Sequence, residues 1–189
     1  AKEAIEAALN NGKHVVTANK ALMAKHGHQL AKLAENNGLS LKFEAAVAGG
    51  IPAIKTLTES LAGNKINRLM GVMNGTCNYI LTRMENANLS YEKVFKEAKD
   101  LGYLEADPTL DVGGIDAGHK LAILSSIAFG TEIDFDSVYL QGIESITIQD
   151  IDQAKELGYR IKLLGVSQRT DNGLEQRMQP CLVPVNSSI

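Results

Sequence analysis

Apolar positions recur along the chain at helical spacing in some stretches and at strand spacing in others. Ala4, Ile5, Ala8 and Leu9 mark a helix over residues 2–11 that stops at Gly12. His14 to Ala18 is a short β-branched run and reads as a buried strand. Lys20 to Asn36 returns to helical spacing, with Leu22, Met23, Leu30 and Leu33 on one face and Asn37-Gly38 as the stop. Leu41 to Val47 reads as the next strand, and Pro52 opens a helix continued by Ile54, Leu57 and Leu61. Ile66 to Met73 reads as a strand. Asn74-Gly75-Thr76 turns into a helix over residues 77–86, and Ser90 caps another that ends at Leu101-Gly102. Residues 102–114 read as a long polar loop, 115–129 and 148–157 as helices, and 161–168 and 174–183 as strands joined at Asp171-Asn172-Gly173. This order predicts an α+β fold whose mixed β-sheet is covered by helices on one face.

Composition narrows the class without naming it. The 44% hydrophobic and 22% charged residues exclude a disordered chain. A net charge of −3 and scattered basic residues give no footprint for nucleic acid. No apolar run is long enough to span a bilayer, and the first residues read as a charged helix rather than a leader. Cys77 and Cys181 lie far apart without metal-type spacing and read as reduced thiols of a cytoplasmic protein. The chain starts without Met or a helix cap and stops just after an apolar run, so it reads as a piece of something longer.

Four segments could carry chemistry. Residues 98–120 gather Glu105, Asp107, Asp111, Asp116 and Lys120, and the last two share a helix face four residues apart. Carboxylates ahead of a lysine can bind an amino group and set up proton transfer; the alternative is a solvated loop with a surface ion pair. Thr17, Asn19 and Lys20 stand where a strand ends and a helix starts, the place where α/β layers collect ligands; the alternative is an exposed lysine. Glu44 to Ile51 holds a glycine pair that suits an anion, or carbonyls and a carboxylate that suit a hard cation, or a plain tight turn. At Asn74-Gly75-Thr76, main-chain N–H groups and a hydroxyl could bind a carboxylate, or could only cap a helix. The four histidines form no metal pattern, and Cys77 reads as a small buried hydrophobe.

The run Gly102-Tyr103, Glu105, Asp107-Pro108, Asp111, Gly114, Asp116, Lys120 resembles the homoserine dehydrogenases. VTANKALMAKHG, EAAVAGGIP and MNGTCNYIL look like segments of the same family, in the family's order, so the resemblance covers essentially the whole chain. Leu104, where the family has a small or polar residue, and Cys77, where Thr or Ser is commoner, depart from it. The resemblance implies reversible reduction of aspartate 4-semialdehyde to homoserine with NADP or NAD, in threonine and methionine biosynthesis. It implies proton donation by Lys120, oriented by Asp116, and a second lysine, Lys20, near the nicotinamide and the reacting oxygen. Glu105 would bind the substrate's amino group, and Asp111, Gly102, Tyr103 and Thr76 would complete the substrate site. Thr17 and Asn19 would join Lys20 at the edge of the cofactor site. Glu44 with the carbonyls of Val47, Gly49 and Ile51 would hold a monovalent cation, sodium.

The resemblance also implies that residues 1–36 are the tail of a Rossmann-type nucleotide-binding domain and 37–189 a substrate-binding and dimerisation domain. A homodimer through the sheet follows, with a small-molecule substrate as the other partner and neither nucleic acid nor membrane. The glycine-rich dinucleotide fingerprint is absent from these residues, so the expectation is a fragment inactive alone. The alternative reading is a non-catalytic module that binds an amino acid or a cation and dimerises.

Overall fold

A computed structural model describes residues 1–104 and 107–189. It falls into two compact units. The first comprises Ala1–Leu69 with His119–Ser137, the second Met70–Gly118 with Val138–Ile189.

In the first unit, α1 (Lys2–Asn10) and α2 (Lys20–Asn36) pack together beside two short parallel strands, β1 (Val15–Val16) and β2 (Leu41–Lys42). Asn19 caps α2 by accepting from Leu22 N at 3.0 Å, and Gly38, with φ +66°, ends it. Leu9, Met23 and Leu30 are fully or almost fully buried. Gly27 gives α2 room beside Ile133, whose Cδ1 would lie 2.7 Å from a Cβ placed there and would have to shift.

Both strands are shorter than the sequence predicts, since only two residue pairs are made. The run to Val47 breaks into a 3-10 turn, Glu44–Ala46. The Glu44 carboxylate causes the break by capping the next element, accepting from Ile54 N at 2.9 Å and Lys55 N at 2.8 Å. That element, α3 (Ala53–Lys55), is one turn of helix and widens into a π turn over Thr56–Ser60. The Thr56 and Thr58 hydroxyls donate back to Pro52 O and Ile54 O, a competition that loosens helices.

The second unit is built on a sheet of order β3-β5-β6-β4, from β3 (Arg68–Gly71), β4 (Tyr139–Leu140), β5 (Tyr159–Thr170) and β6 (Gly173–Pro184). β5 and β6 are antiparallel and β4 is parallel to β6, so the sheet is mixed as expected. The hairpin turn is Asp171-Asn172, and Gly173 (φ +127°) opens β6 opposite Thr170, so β6 starts one residue earlier than an Asn-Gly turn would have it. Helix α8 (Ile148–Glu156) packs on β5, beside Ile161, Pro180 and Leu182. A capping box of Thr147 and Asp150 starts α8, and the Thr147 hydroxyl and N–H hold the Asp150 carboxyl below its ordinary range. The other sheet face carries Leu164, Val166 and Val183, joined by Cys181 and Ile189.

Helix α4 (Gly75–Ala87) contacts β5, α5 (Tyr91–Asp100), α6 (Pro108–Val112) and α8. Its Asn78, 8% exposed, lies against the β5 main chain: its amide donates to Leu163 O and its Oδ1 accepts from Leu163 N, both at 3.0 Å. Leu163 stands opposite Pro180, which has no N–H to give, so its peptide groups turn away from β6 and need this partner. Asn78→Ala leaves two buried peptide groups unpaired and is expected to cost about 3 kcal/mol, by the usual penalty per orphaned group. Urea denaturation checks this, and a loss below about 0.5 kcal/mol contradicts it.

Candidate active site

The candidate residues of the second unit converge around the start of α4. Asn74 caps this helix, its Oδ1 accepting from Cys77 N at 2.8 Å. Thr76 lies within the first turn, and its hydroxyl donates to Tyr103 O at 3.0 Å. The Tyr103 ring meets Tyr79 edge to face with centroids 4.9 Å apart. Gly102 is required at its position, because the chain leaves α5 there at φ +75°. Thr76, Gly102 and Tyr103, three predicted substrate residues, are therefore neighbours.

Asp111 is the buried member of the group, 5% exposed on α6. The sequence predicts a loop here, but Asp107 caps a short helix whose first residue is Pro108. The Asn74 amide donates to Asp111 Oδ1 at 3.1 Å, and the Cys77 thiol donates to the Asp111 carbonyl at 3.2 Å. Burial, then the carboxylates of Asp111, Asp116 and Glu144, push the Cys77 thiol from 9.0 up to about 12. Cys77 thus keeps its proton at neutral pH. It is a small buried residue, as the sequence suggests, but also a hydrogen-bond donor.

Asp116 and Lys120 lie one turn apart on α7 (Ile115–Phe129), both half-buried. Glu105 lies outside the described residues. Asn74 and Asn78 escape a reading by residue type, since neither is charged; the Asn-Gly-Thr turn was the available signal for the first, and nothing marks the second.

In the first unit, Thr17, Asn19 and Lys20 sit together between β1 and α2. Thr17 Oγ1 accepts from Asn19 N at 3.1 Å, which fixes the cap that precedes Lys20. Lys120 also belongs to this unit. Around Glu44, Ala48 and Gly49 follow one another with φ near +60°, values of 59° and 58°. These two left-handed residues redirect the peptide groups between Val47 and Ile51. The Glu44 carboxylate takes two main-chain N–H bonds and still has lone pairs on each oxygen. Among the described residues, no group of three or more His, Cys, Asp or Glu is placed to hold a metal ion. No helix among them is long and apolar enough to cross a membrane.

Comparison with known proteins agrees across the chain. The family model described as homoserine dehydrogenase matches residues 52–189, and that described as homoserine dehydrogenase, NAD binding domain, matches residues 1–44. The chain is 53% identical over 184 residues to a homoserine dehydrogenase of Neisseria gonorrhoeae, covering 97% of this chain and 42% of the relative. It is 49% identical to that of Bacillus subtilis over 183 residues, with the same coverage, 97% and 42%. The chain thus spans about two fifths of the length of these curated relatives. Among solved structures, a homoserine dehydrogenase from Thiobacillus denitrificans superposes with a TM-score of 0.97 at 51% identity, covering 99% of this chain and 43% of that one. A hyperthermophilic archaeal homoserine dehydrogenase in complex with NADPH gives a TM-score of 0.79 at 30% identity, covering 99% and 53%.

The raised Cys77 pKa predicts its reactivity. At pH 8 the thiolate fraction falls from about one in ten to about one in ten thousand, and the side chain is fully buried. Iodoacetamide is therefore expected to spare Cys77 in the native protein and to modify it after denaturation, as peptide mass mapping would show. Rapid native labelling of Cys77 at pH 8 contradicts the placement.

Proposed function

We propose, because the chain belongs to the homoserine dehydrogenase family, that the protein carrying it interconverts L-aspartate 4-semialdehyde and L-homoserine in threonine and methionine biosynthesis in the cytoplasm. The observation that carries the reading is the grouping at the start of α4, where Thr76 bonds to Tyr103 O and Asn74 bonds to the buried carboxylate Asp111. A buried carboxylate beside hydroxyl and main-chain oxygens suits a ligand that carries an ammonium group.

A nicotinamide nucleotide, NADPH or NADH, would supply the hydride in reduction, and its oxidised form would accept it in oxidation. The junction at Thr17, Asn19 and Lys20 fits the edge of a nucleotide site, since it lies at the end of a parallel strand and the start of a long helix. Reduction turns the aldehyde oxygen into an alkoxide, and the ammonium groups of Lys120 and Lys20 stabilise that charge. Lys120, oriented by Asp116 one turn away, delivers the proton directly or through water. Glu105 and Asp111 hold the amino-acid end, with Thr76, Gly102 and Tyr103 shaping the site.

The left-handed pair Ala48-Gly49 and the spare lone pairs of Glu44 support a monovalent-cation site at Glu44, Val47, Gly49 and Ile51, with sodium the expected ion. The pairing partner in this reading is a second copy of the protein, through the sheet of the second unit.

Lys120→Ala in the intact protein carrying this chain should lower kcat for homoserine oxidation at least a hundredfold, the usual contribution of a positioned acid–base group, with the fold kept. Steady-state kinetics together with circular dichroism checks this. A rate within threefold of the unmodified protein removes Lys120 from the chemistry.

A further inference from the structure

Three hydrogen bonds close a ring between the start of α4 and α6. Asn74 Oδ1 accepts from Cys77 N, the Cys77 thiol donates to Asp111 O, and Asn74 Nδ2 donates to Asp111 Oδ1. We propose that Asn74 is a positioning residue for the substrate site: it holds the Asp111 carboxylate in place by a donor that no acidic cap could supply. The inference rests on the assignment of Asp111 to the substrate made above.

The ring leaves the Asn74 amide one orientation. Its oxygen is committed to Cys77 N at 2.8 Å, so its nitrogen faces the carboxylate. The opposite orientation would set an oxygen against a carboxylate oxygen and leave the cap without an acceptor. Asn74 and Asp111 are each 5% exposed, so water does not readily replace either bond. The Asn74 carbonyl in turn accepts from Asn78 Nδ2 at 3.0 Å, and Asn78 is pinned to Leu163 of β5. The position of Asp111 is thereby referred to the middle of the sheet. From the other side, Ile143 N donates to Val112 O at 3.0 Å, and a Cβ at Gly142 would lie 2.3 Å from that same oxygen. These contacts hold α6 from both sides, and the Asn74 amide reaches the carboxylate itself.

An acidic residue at position 74 separates capping from positioning. Asn74→Asp still caps α4, but it removes the donor and brings like charges together. In the intact protein carrying this chain, Asn74→Asp is expected to raise KM for homoserine at least tenfold, leave KM for the nucleotide within twofold, and lower the thermal midpoint. Combining it with Asp111→Asn restores a donor and an acceptor in exchanged places. The double variant should recover the midpoint but not the homoserine KM, because the charge no longer stands where the substrate meets it. An unchanged homoserine KM in Asn74→Asp, or a double variant that recovers no midpoint, overturns the proposal. Asp111→Asn alone with the original homoserine KM, alongside a recovered midpoint in the double variant, overturns instead the assignment of Asp111 to the substrate.

Discussion

The second unit depends on how the main chain of β5 is satisfied at Leu163. A peptide group buried in a protein must find a hydrogen-bond partner, and Pro180, opposite Leu163 across the hairpin, has no N–H to give. The side chain of Asn78 meets both needs of Leu163 and, through Asn74 O, fixes the first turn of α4. A polar requirement inside the sheet thus decides where the helix starts. The residues gathered at that start are the ones assigned to substrate: Thr76 with Tyr103, and Asp111 through Asn74.

Burial and polarity are balanced locally around this point. Cys77 is fully buried and would be an ordinary core residue, except that its thiol and its N–H each join the ring with Asn74 and Asp111. Burial first, and then the carboxylates nearby, raise its pKa and make it a steady donor instead of a nucleophile. In the first unit a carboxylate does comparable work. Glu44 closes the turn into α3 and leaves the peptide groups of Val47 to Ile51 turned by two left-handed residues. In both units, charged side chains with candidate functional roles also serve as structural caps or anchors.

The sequence disclosed the long elements and the chemistry-bearing run from Gly102 to Lys120. Helices with regular spacing and sharp stops, such as α2 and α5, lie close to where their patterns place them. The short pieces were less legible. β1 and β2 keep only the residues that find partners, and β4 is too short to show a period. α6 was concealed in a polar loop, although Asp107-Pro108 is a helix-start signal. Asn78 could not be found from the sequence, since its role comes from meeting Leu163 across 85 positions of chain. Periodicity reports which face is buried; it carries no information about which distant peptide group lacks a partner.

The most direct test of the site is a crystal structure of the intact protein with L-homoserine bound. The amino acid is expected within hydrogen-bond distance of Asp111 and Thr76, with the Asn74–Asp111 bond intact. Homoserine bound away from the start of α4, or an Asp111 carboxylate turned from it toward another partner, would contradict the account.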